Sequence, residues 1–293
     1  MTPASPNPPA PPNPPAPSEP PAPSEPLAPS EPPAATVVDD LVALSRTLGE
    51  PGRQLAILAE GNTSVRLDGD GPSGRMLVKA SGAWLARLEP HDLVELRLAP
   101  LIALLDDERA GDQQVTRTFA AATITREAPA PRPSVEALLH AVCLAETPAR
   151  VVAHTHPVAA NGLLCSASAG LLGGGALFPD QIVVLGRHVV VVPYVDPGLP
   201  LARHVRGLLR DFATRHGTTP RVLFLRNHGI FALGASRDEV LQITEMAVKV
   251  ATVLQVAVAA GGPVFLTDTQ ADRIDSRPDE HHRRRALLEQ VPR

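Results

Sequence analysis

Hydrophobic and polar positions follow two different patterns along this chain. Apolar residues spaced three and four apart predict amphipathic helices at residues 37–48, 135–146, 201–216 and 236–260. Short, nearly continuous apolar runs predict strands at residues 63–67, 75–79, 150–154, 182–185, 188–193 and 222–225. Because strands and helices interleave, we expect an α/β domain in which helices cover a sheet. The stretch 101–132 shows no clear period.

Proline is concentrated at the amino end, where 16 of the 33 prolines lie within the first 35 residues. The repeats there read Pro-Pro-Ala-Pro-Ser-Glu-Pro and hold almost no large apolar residue. Proline cannot donate a backbone hydrogen bond, so we expect residues 1–35 to form a disordered, polyproline-like arm. The folded domain then covers residues 36–293. The arm is either a docking arm or spacer, or a dispensable tail.

Composition excludes several classes of protein. The net charge is −4 with a pI of about 6.2, so the basic surface of a nucleic-acid-binding protein is missing. Two cysteines, Cys143 and Cys165, cannot form a disulfide scaffold and suit a reducing compartment, and we expect both to be small buried residues. We find no charge-free apolar window of about 18 residues and no secretory leader. We therefore expect a cytoplasmic protein that does not bind membranes.

Two histidines follow the apolar run 150–154 in the sequence His-Thr-His-Pro. Side chains two apart on a strand project to one face, about 6.6 Å apart at the backbone, so His154 and His156 can converge on one metal ion. A third imidazole, His228, follows the apolar run 222–225, although a histidine in a simple turn would show the same pattern. Three imidazoles at two strand ends indicate an open divalent-metal site.

Further polar residues lie at predicted turns and helix starts. Glu136 is either a fourth ligand or a carboxylate that complements the helix dipole, and His140 lies four residues on, on the same face, in a supporting or structural role. The turns at residues 60–64 and 79–82 combine glycine with small polar side chains. They suit an anion or a polyhydroxylated ligand, or they are two ordinary turns.

Six motifs occur in a specific order: AEGNTS at 59–64, KASG at 79–82, PSVE at 133–136, HTHP at 154–157, VPYVDPG at 192–198 and NHG at 227–229. Together they resemble the class II aldolase/adducin head family over residues 36–262. The stretches 178–186, 192–202 and 243–249 look most like the aldolase half of bifunctional rhamnulose-phosphate aldolase/lactaldehyde dehydrogenases, and we expect no dehydrogenase half here. The resemblance implies a three-layer α/β/α class II aldolase-like domain. It also implies a homotetramer with active sites between adjacent subunits.

The resemblance implies a role for each motif. His154, His156 and His228 would bind Zn²⁺ or another divalent metal such as Mn²⁺, Co²⁺ or Fe²⁺, and Glu136 would ligate the metal and then act as a base. Tyr194 would protonate the aldehyde oxygen from a neighbouring subunit, or would simply pack at a strand end. The implied substrate-binding residues are Gly61, Asn62, Lys79, Ser81, Gly82 and Ser134.

This sequence departs from the family pattern at a position linked to phosphate binding. Phosphate-binding members carry two adjacent serines before the carboxylate, whereas here Ser134 is followed by Val135. Lys79 would supply compensating charge, or it is a solvated lysine at a strand end. The first hypothesis is a metal-dependent aldolase that cleaves a ketose or ketose phosphate. The alternatives are a dehydratase or decarboxylase on the same fold, and a non-catalytic, adducin-like scaffold.

Overall fold

A computed structural model describes residues 33–124 and 131–277, and within them seven strands form one sheet. The strands are β1 Asn62–Asp68, β2 Arg75–Lys79, β3 Leu93–Arg97, β4 Val151–Thr155, β5 Val190–Val192, β6 Val222–Leu225 and β7 Gly229–Gly234. Their spatial order is β3-β2-β1-β4-β7-β6-β5. Neighbouring strands run antiparallel except β5 and β6, which are parallel. The sheet therefore places the end of β4 beside the start of β7.

Helices cover both faces of this sheet. They are α1 Ala35–Leu48, α2 Leu98–Leu104, α3 Asp112–Ala122, α4 Ala137–Glu146, α5 Val158–Leu164, α6 Pro179–Leu185, α7 Leu199–His216, α8 Arg237–Ala259 and α9 Asp268–Asp275. Alternate side chains of β4 point to opposite faces: Val152 packs with α2, α4 and α7, whereas Val151 and Ala153 pack with α1, α5 and α8. The result is the expected three-layer α/β/α domain.

Most elements predicted from periodicity are confirmed, but the predicted strand at residues 182–185 is wrong. The apolar run there belongs to helix α6, which starts with Pro179 in its first turn and Asp180 beside it. Gly186, at φ 87°, ends that helix. Periodicity also missed β3, β7, α2, α3, α5 and α9. Two of these, α2 and α3, lie largely in the stretch 101–132, where the sequence shows no clear period.

Helix α8 is long and apolar enough to cross a membrane, by length and composition alone. Its apolar face packs against β7 and against α5 and α6. Its buried residues include Val240, Ile243, Ala247 and Leu254, which is the spacing of a helix with one face in a core. Ser236 caps the helix, as predicted, because its side chain accepts a hydrogen bond from the Glu239 amide (3.2 Å).

Two further expectations concern the amino end and the cysteines. Residues 1–32 of the predicted arm lie outside the described residues, and α1 already begins at Ala35.

Cys143 is buried in α4, as expected. The expectation for Cys165 is wrong, since its side chain is exposed at the C-cap of α5, one residue past the last buried residue of that helix, Leu164.

Candidate metal centre

The antiparallel pair β4 and β7 brings three histidines together. His154 is the last residue but one of β4, His156 follows that strand, and His228 immediately precedes β7. In the register of this pair, His154 lies opposite Phe231. The fourth residue, Glu136, forms the N-cap position of α4. Two strand ends and one helix start therefore meet at one edge of the sheet.

The ligand atoms of these four residues all lie within 4.8 Å of one another. The Nε2 atoms of His154 and His156 are 2.9 Å apart. Glu136 Oε1 lies 3.2 Å from His154 Nε2 and 3.0 Å from His228 Nε2. Tetrahedral zinc with bonds of 2.0–2.1 Å separates its ligand atoms by about 3.3 Å, so the four atoms already lie near the spacing that such an ion requires.

Hydrogen bonds set the tautomers of two of these imidazoles. His154 Nδ1 lies 2.9 Å from the Ile230 carbonyl oxygen, and His156 Nδ1 lies 3.1 Å from Glu60 Oε2. A carbonyl and a carboxylate only accept, so each Nδ1 carries the proton and each Nε2 presents a lone pair to the centre. Two lone pairs facing each other at 2.9 Å repel unless a cation lies between them. Three imidazoles and one carboxylate thus fit a divalent transition metal.

The first and last residues of the NHG motif have a conformational or steric reason. Asn227 adopts a left-handed backbone (φ 56°) that turns the chain between β6 and β7. A Cβ atom at Gly229 would lie 2.5 Å from the Thr155 carbonyl oxygen and 2.7 Å from a ring carbon of His156. Asn161 on α5 donates to the His228 carbonyl oxygen (3.0 Å) and so holds the turn.

Burial and neighbouring charge set the protonation of the centre. Burial, assisted by His154, lowers the pKa of His156 to about 4, and Glu60 opposes the shift. Burial alone would raise the pKa of the Glu136 carboxyl, but His154 and His228, in their protonated forms, lower it well below its usual range. A neutral imidazole and an ionised carboxylate are the forms that bind a metal ion.

His140 is a buried residue that contacts the centre indirectly, through Phe231. It is fully buried, its Nδ1 lies 2.7 Å from Ser64 Oγ, and burial lowers its pKa to about 3. Its ring packs 5.1 Å from that of Phe231, which in turn stacks on His154. These contacts give His140 a place in the core beneath the centre, consistent with the supporting role expected from its spacing.

The predicted substrate-binding residues divide into two groups. Asn62 Nδ2 donates to Glu136 Oε2, and Ser134 Oγ accepts a hydrogen bond from the Glu136 amide (3.3 Å). Gly61, at φ 73°, passes so close to His154 that a Cβ atom would lie 2.8 Å from its carbonyl oxygen. These three residues adjoin the centre.

The second group is the KASG turn. It is joined to the PSVE segment through a bridge between Ala80 and Pro133 and through the Ser81 amide, which donates to the Arg132 carbonyl oxygen (2.8 Å). Ser81 and Gly82 are exposed, and Gly82 has a left-handed backbone (φ 83°). The turn thus presents small polar groups to solvent beside the segment that carries Glu136.

Lys79 does not end in solvent. Its side chain is 1% exposed, and Nζ donates to the carbonyl oxygens of Ala59 (3.1 Å), Ala80 (3.4 Å) and Ala83 (2.7 Å). Burial lowers the pKa of Lys79 to about 8. Its ammonium group therefore ties two loops together inside the protein, which leaves little of its charge for an external phosphate.

Two further residues of the motifs, one of them the predicted Tyr194, lie at the surface. Tyr194 is 57% exposed after β5, and its hydroxyl donates to Asp196 (3.1 Å). Val135, which replaces the second serine, is 52% exposed. The sequence indicates no role for Glu60 or Asn161. Glu60 stands in the AEGNTS motif, whereas no motif marks Asn161.

Comparison with known families agrees with this geometry. Residues 39–254 match the family model described as the class II aldolase and adducin N-terminal domain, so the chain belongs to that family. It is 28% identical over 211 residues to an uncharacterised oxidoreductase, YuxG, of Bacillus subtilis strain 168. That match covers 71% of this chain but only 28% of the relative, so the chain spans little more than a quarter of the curated protein's length.

Solved structures show the same fold. The N-terminal class II aldolase domain of a conserved protein from Thermoplasma acidophilum superimposes with a TM-score of 0.57 at 26% identity, covering 76% of this chain and 95% of that one. L-fuculose-1-phosphate aldolase from Thermus thermophilus superimposes with a TM-score of 0.51 at 25% identity, covering 78% of this chain and all (100%) of that one.

Proposed function

We propose that this protein is a divalent-metal-dependent aldolase-type lyase that cleaves a ketose or ketose phosphate into a ketone and an aldehyde. One observation carries the proposal: Glu136, His154, His156 and His228 present four ligand atoms within 4.8 Å of one another in a chain of the class II aldolase family. An adducin-like scaffold has no need for three imidazoles that converge with a carboxylate.

The side chains supply the proton transfers of a retro-aldol reaction. His154, His156 and His228 would hold a divalent metal, which would supply a Lewis acid for the negative charge that develops on the ketone oxygen. In cleavage, the substrate hydroxyl gives its proton to the ionised Glu136 carboxylate and its carbon becomes the aldehyde, while the electron pair of the broken carbon–carbon bond passes to the carbon beside the ketone. Glu136 is the group placed to deliver a proton to that carbon, or to remove it in the reverse direction.

Two features bear on whether the substrate carries a phosphate. Val135 replaces a hydroxyl, and the Lys79 ammonium is occupied by three carbonyl oxygens. Asn62, Ser134 and the exposed KASG turn still offer polar groups beside the centre. The assay therefore compares each ketose phosphate with its free sugar.

The test is cleavage of a ketose panel by purified protein, with products followed by reduction of the released aldehyde. We expect at least one ketose to be cleaved, activity to be lost on chelation, and activity to return with Zn²⁺, Mn²⁺, Co²⁺ or Fe²⁺. Glu136→Gln is expected to lower the rate about 10²–10⁴-fold and to abolish deuterium exchange into the ketone product. Loss of water or of CO₂ from the substrate, with no aldehyde released, would instead identify a dehydratase or a decarboxylase.

We also propose a homotetramer in which Tyr194 reaches the centre of a neighbouring subunit. Three exposed apolar side chains, Ile57, Leu58 and Val158, lie beside the segments that carry Glu60 and His156 and would be covered by such a neighbour. Sedimentation should then give about four times the 30.8 kDa chain mass. A monomer that is fully active would contradict the shared site.

A further inference from the structure

We infer that Glu60 is a positioning residue of the metal centre, which fixes the tautomer and the direction of His156 and so tightens the binding of a divalent cation. The inference deepens the proposed function and rests on it. Glu60 is not one of the four residues whose ligand atoms converge. It acts through the imidazole that it orients.

Both oxygens of the Glu60 carboxylate are used. Oε2 lies 3.1 Å from His156 Nδ1, and Oε1 accepts the Ile57 amide hydrogen (2.7 Å). The Glu60 amide in turn donates to the Ile57 carbonyl oxygen (3.2 Å). These bonds close a tight turn in which Leu58 has a left-handed backbone, φ 52°, unusual for a residue with a branched side chain. The turn holds the carboxylate against the ring of His156.

Lys79 anchors the same turn from inside the protein. Its buried Nζ donates to the carbonyl oxygen of Ala59, the residue immediately before Glu60 (3.1 Å). Gly61, immediately after Glu60, packs against the backbone of His154. Glu60 is therefore held on both sides along the chain, although its own side chain remains 30% exposed.

The partner of His156 differs in charge from that of His154. The Nδ1 proton of His154 goes to the neutral carbonyl of Ile230, whereas that of His156 goes to a carboxylate. A carboxylate bonded to the outer nitrogen makes an imidazole a more basic ligand, and loss of such a partner commonly costs 10–100-fold in metal affinity. The carboxylates of Glu60 and Glu136 together carry two negative charges, which balance the charge of a dication.

The substitution Glu60→Gln tests this directly, because an amide has one accepting oxygen where a carboxylate has two. The two donors, Ile57 N–H and His156 Nδ1–H, bond to different oxygens of Glu60, so the glutamine side chain can keep only one of these two bonds. If the amide nitrogen faces Nδ1, the imidazole proton moves to Nε2 and the lone pair is withdrawn from the centre. Glu60→Asp keeps the negative charge, but its side chain is one methylene shorter. Its carboxylate should therefore also fail to reach both Ile57 N–H and His156 Nδ1–H.

The measurement is the dissociation constant for Zn²⁺ of metal-free full-length protein in competition with a chromophoric chelator. We expect Glu60→Gln to bind Zn²⁺ about 10–100-fold more weakly, while the melting temperature of its metal-free form stays at the wild-type value. Glu108→Gln, on an exposed loop after α2, is the matched control and should bind as the wild type does.

Wild-type affinity in Glu60→Gln, or an equal loss in Glu108→Gln, would overturn the role of Glu60. Those results would leave the metal centre itself intact. A wild-type protein that binds no Zn²⁺ would instead contradict the proposed function, so the two failures are distinguishable. The Co²⁺-loaded protein adds an independent readout, since an altered direction of His156 should shift its visible absorption in Glu60→Gln and not in Glu108→Gln.

Discussion

Phe231 lies flat against the imidazole of His154, with ring centroids 4.2 Å apart and ring planes inclined by 17°. The two residues are directly opposite each other across β4 and β7, so the register of the sheet creates this contact. Together with the bond from Nδ1 to the Ile230 carbonyl, the stack leaves His154 one orientation. The hydrophobic core therefore sets the direction of a ligand as well as the stability of the sheet.

Replacing Phe231 should separate these two contributions. We expect Phe231→Leu to lower the free energy of unfolding by about 1–2 kcal/mol, less than the 3–5 kcal/mol typical of truncation to alanine, and also to weaken metal binding. Phe224→Leu is the control: Phe224 is equally buried, but in the cluster on the opposite sheet face. It should show a similar loss of stability in urea with unchanged metal affinity. Equal metal affinity in both variants would show that the stack does not orient His154.

A methyl group at Gly229 should damage the centre sterically. Its Cβ atom would meet the Thr155 carbonyl oxygen at 2.5 Å and the His156 ring at 2.7 Å. We expect Gly229→Ala to lose metal and to unfold at a lower temperature. Gly207→Ala, in the middle of α7 with open space around its Cβ, should instead raise stability by about 0.5–1 kcal/mol. Thermal melts and metal analysis of both variants check this, and full metal content in Gly229→Ala would contradict it.

Lys79 should give the protein a pH-dependent stability. Burial lowers its pKa to about 8 in the folded state, against about 10.4 in the unfolded chain, so the unfolded state holds more protons between these values. The free energy of unfolding gains a contribution that rises with pH across this window, by at most about 1.4 kcal/mol per pH unit. In urea titrations, the free energy of unfolding of the wild type should show this rise with pH, and that of Lys79→Met should not. Lys249→Met, on the exposed face of α8, should show the same rise as the wild type.

The two cysteines should differ sharply in reactivity. Cys165 is exposed, whereas Cys143 is buried and burial raises its pKa beyond the range in which a thiolate forms. We expect one thiol per folded chain to react with a maleimide and two to react in denaturant. Peptide mapping should place the first label on Cys165, and the variant Cys165→Ser should be inert until unfolded. Rapid labelling of Cys143 in the folded chain would contradict the packing of α4.

Much of the fold follows from the sequence because many of its elements have a clear hydrophobic pattern. Helix α8 and the run before His154 show the two cases, one with apolar residues every three or four positions and one continuously apolar. The segment 182–185 misled because a short apolar run suits a strand or a buried helix equally, and Pro179 is the local signal that decides for the helix. Strand β7 was not predicted, because the glycines at both of its ends leave only a short apolar run between them.

The four converging residues of the site could be predicted from strand ends and motif order, but their supporting contacts could not. The bond between Glu60 and His156 joins residues 96 positions apart, and no spacing along the chain indicates it. The buried position of Lys79 likewise depends on three carbonyl oxygens from two loops. Whether Tyr194 acts in a neighbouring subunit stays a prediction.

Metal content is the most direct test of the central claim. Protein purified without added metal should carry about one equivalent of a divalent ion per chain by elemental analysis, and His156→Ala should carry far less. His91→Ala removes an exposed imidazole that is not one of the four converging residues, and this variant should retain the wild-type amount. No metal in the wild type even after reconstitution, or full metal in His156→Ala, would contradict the account.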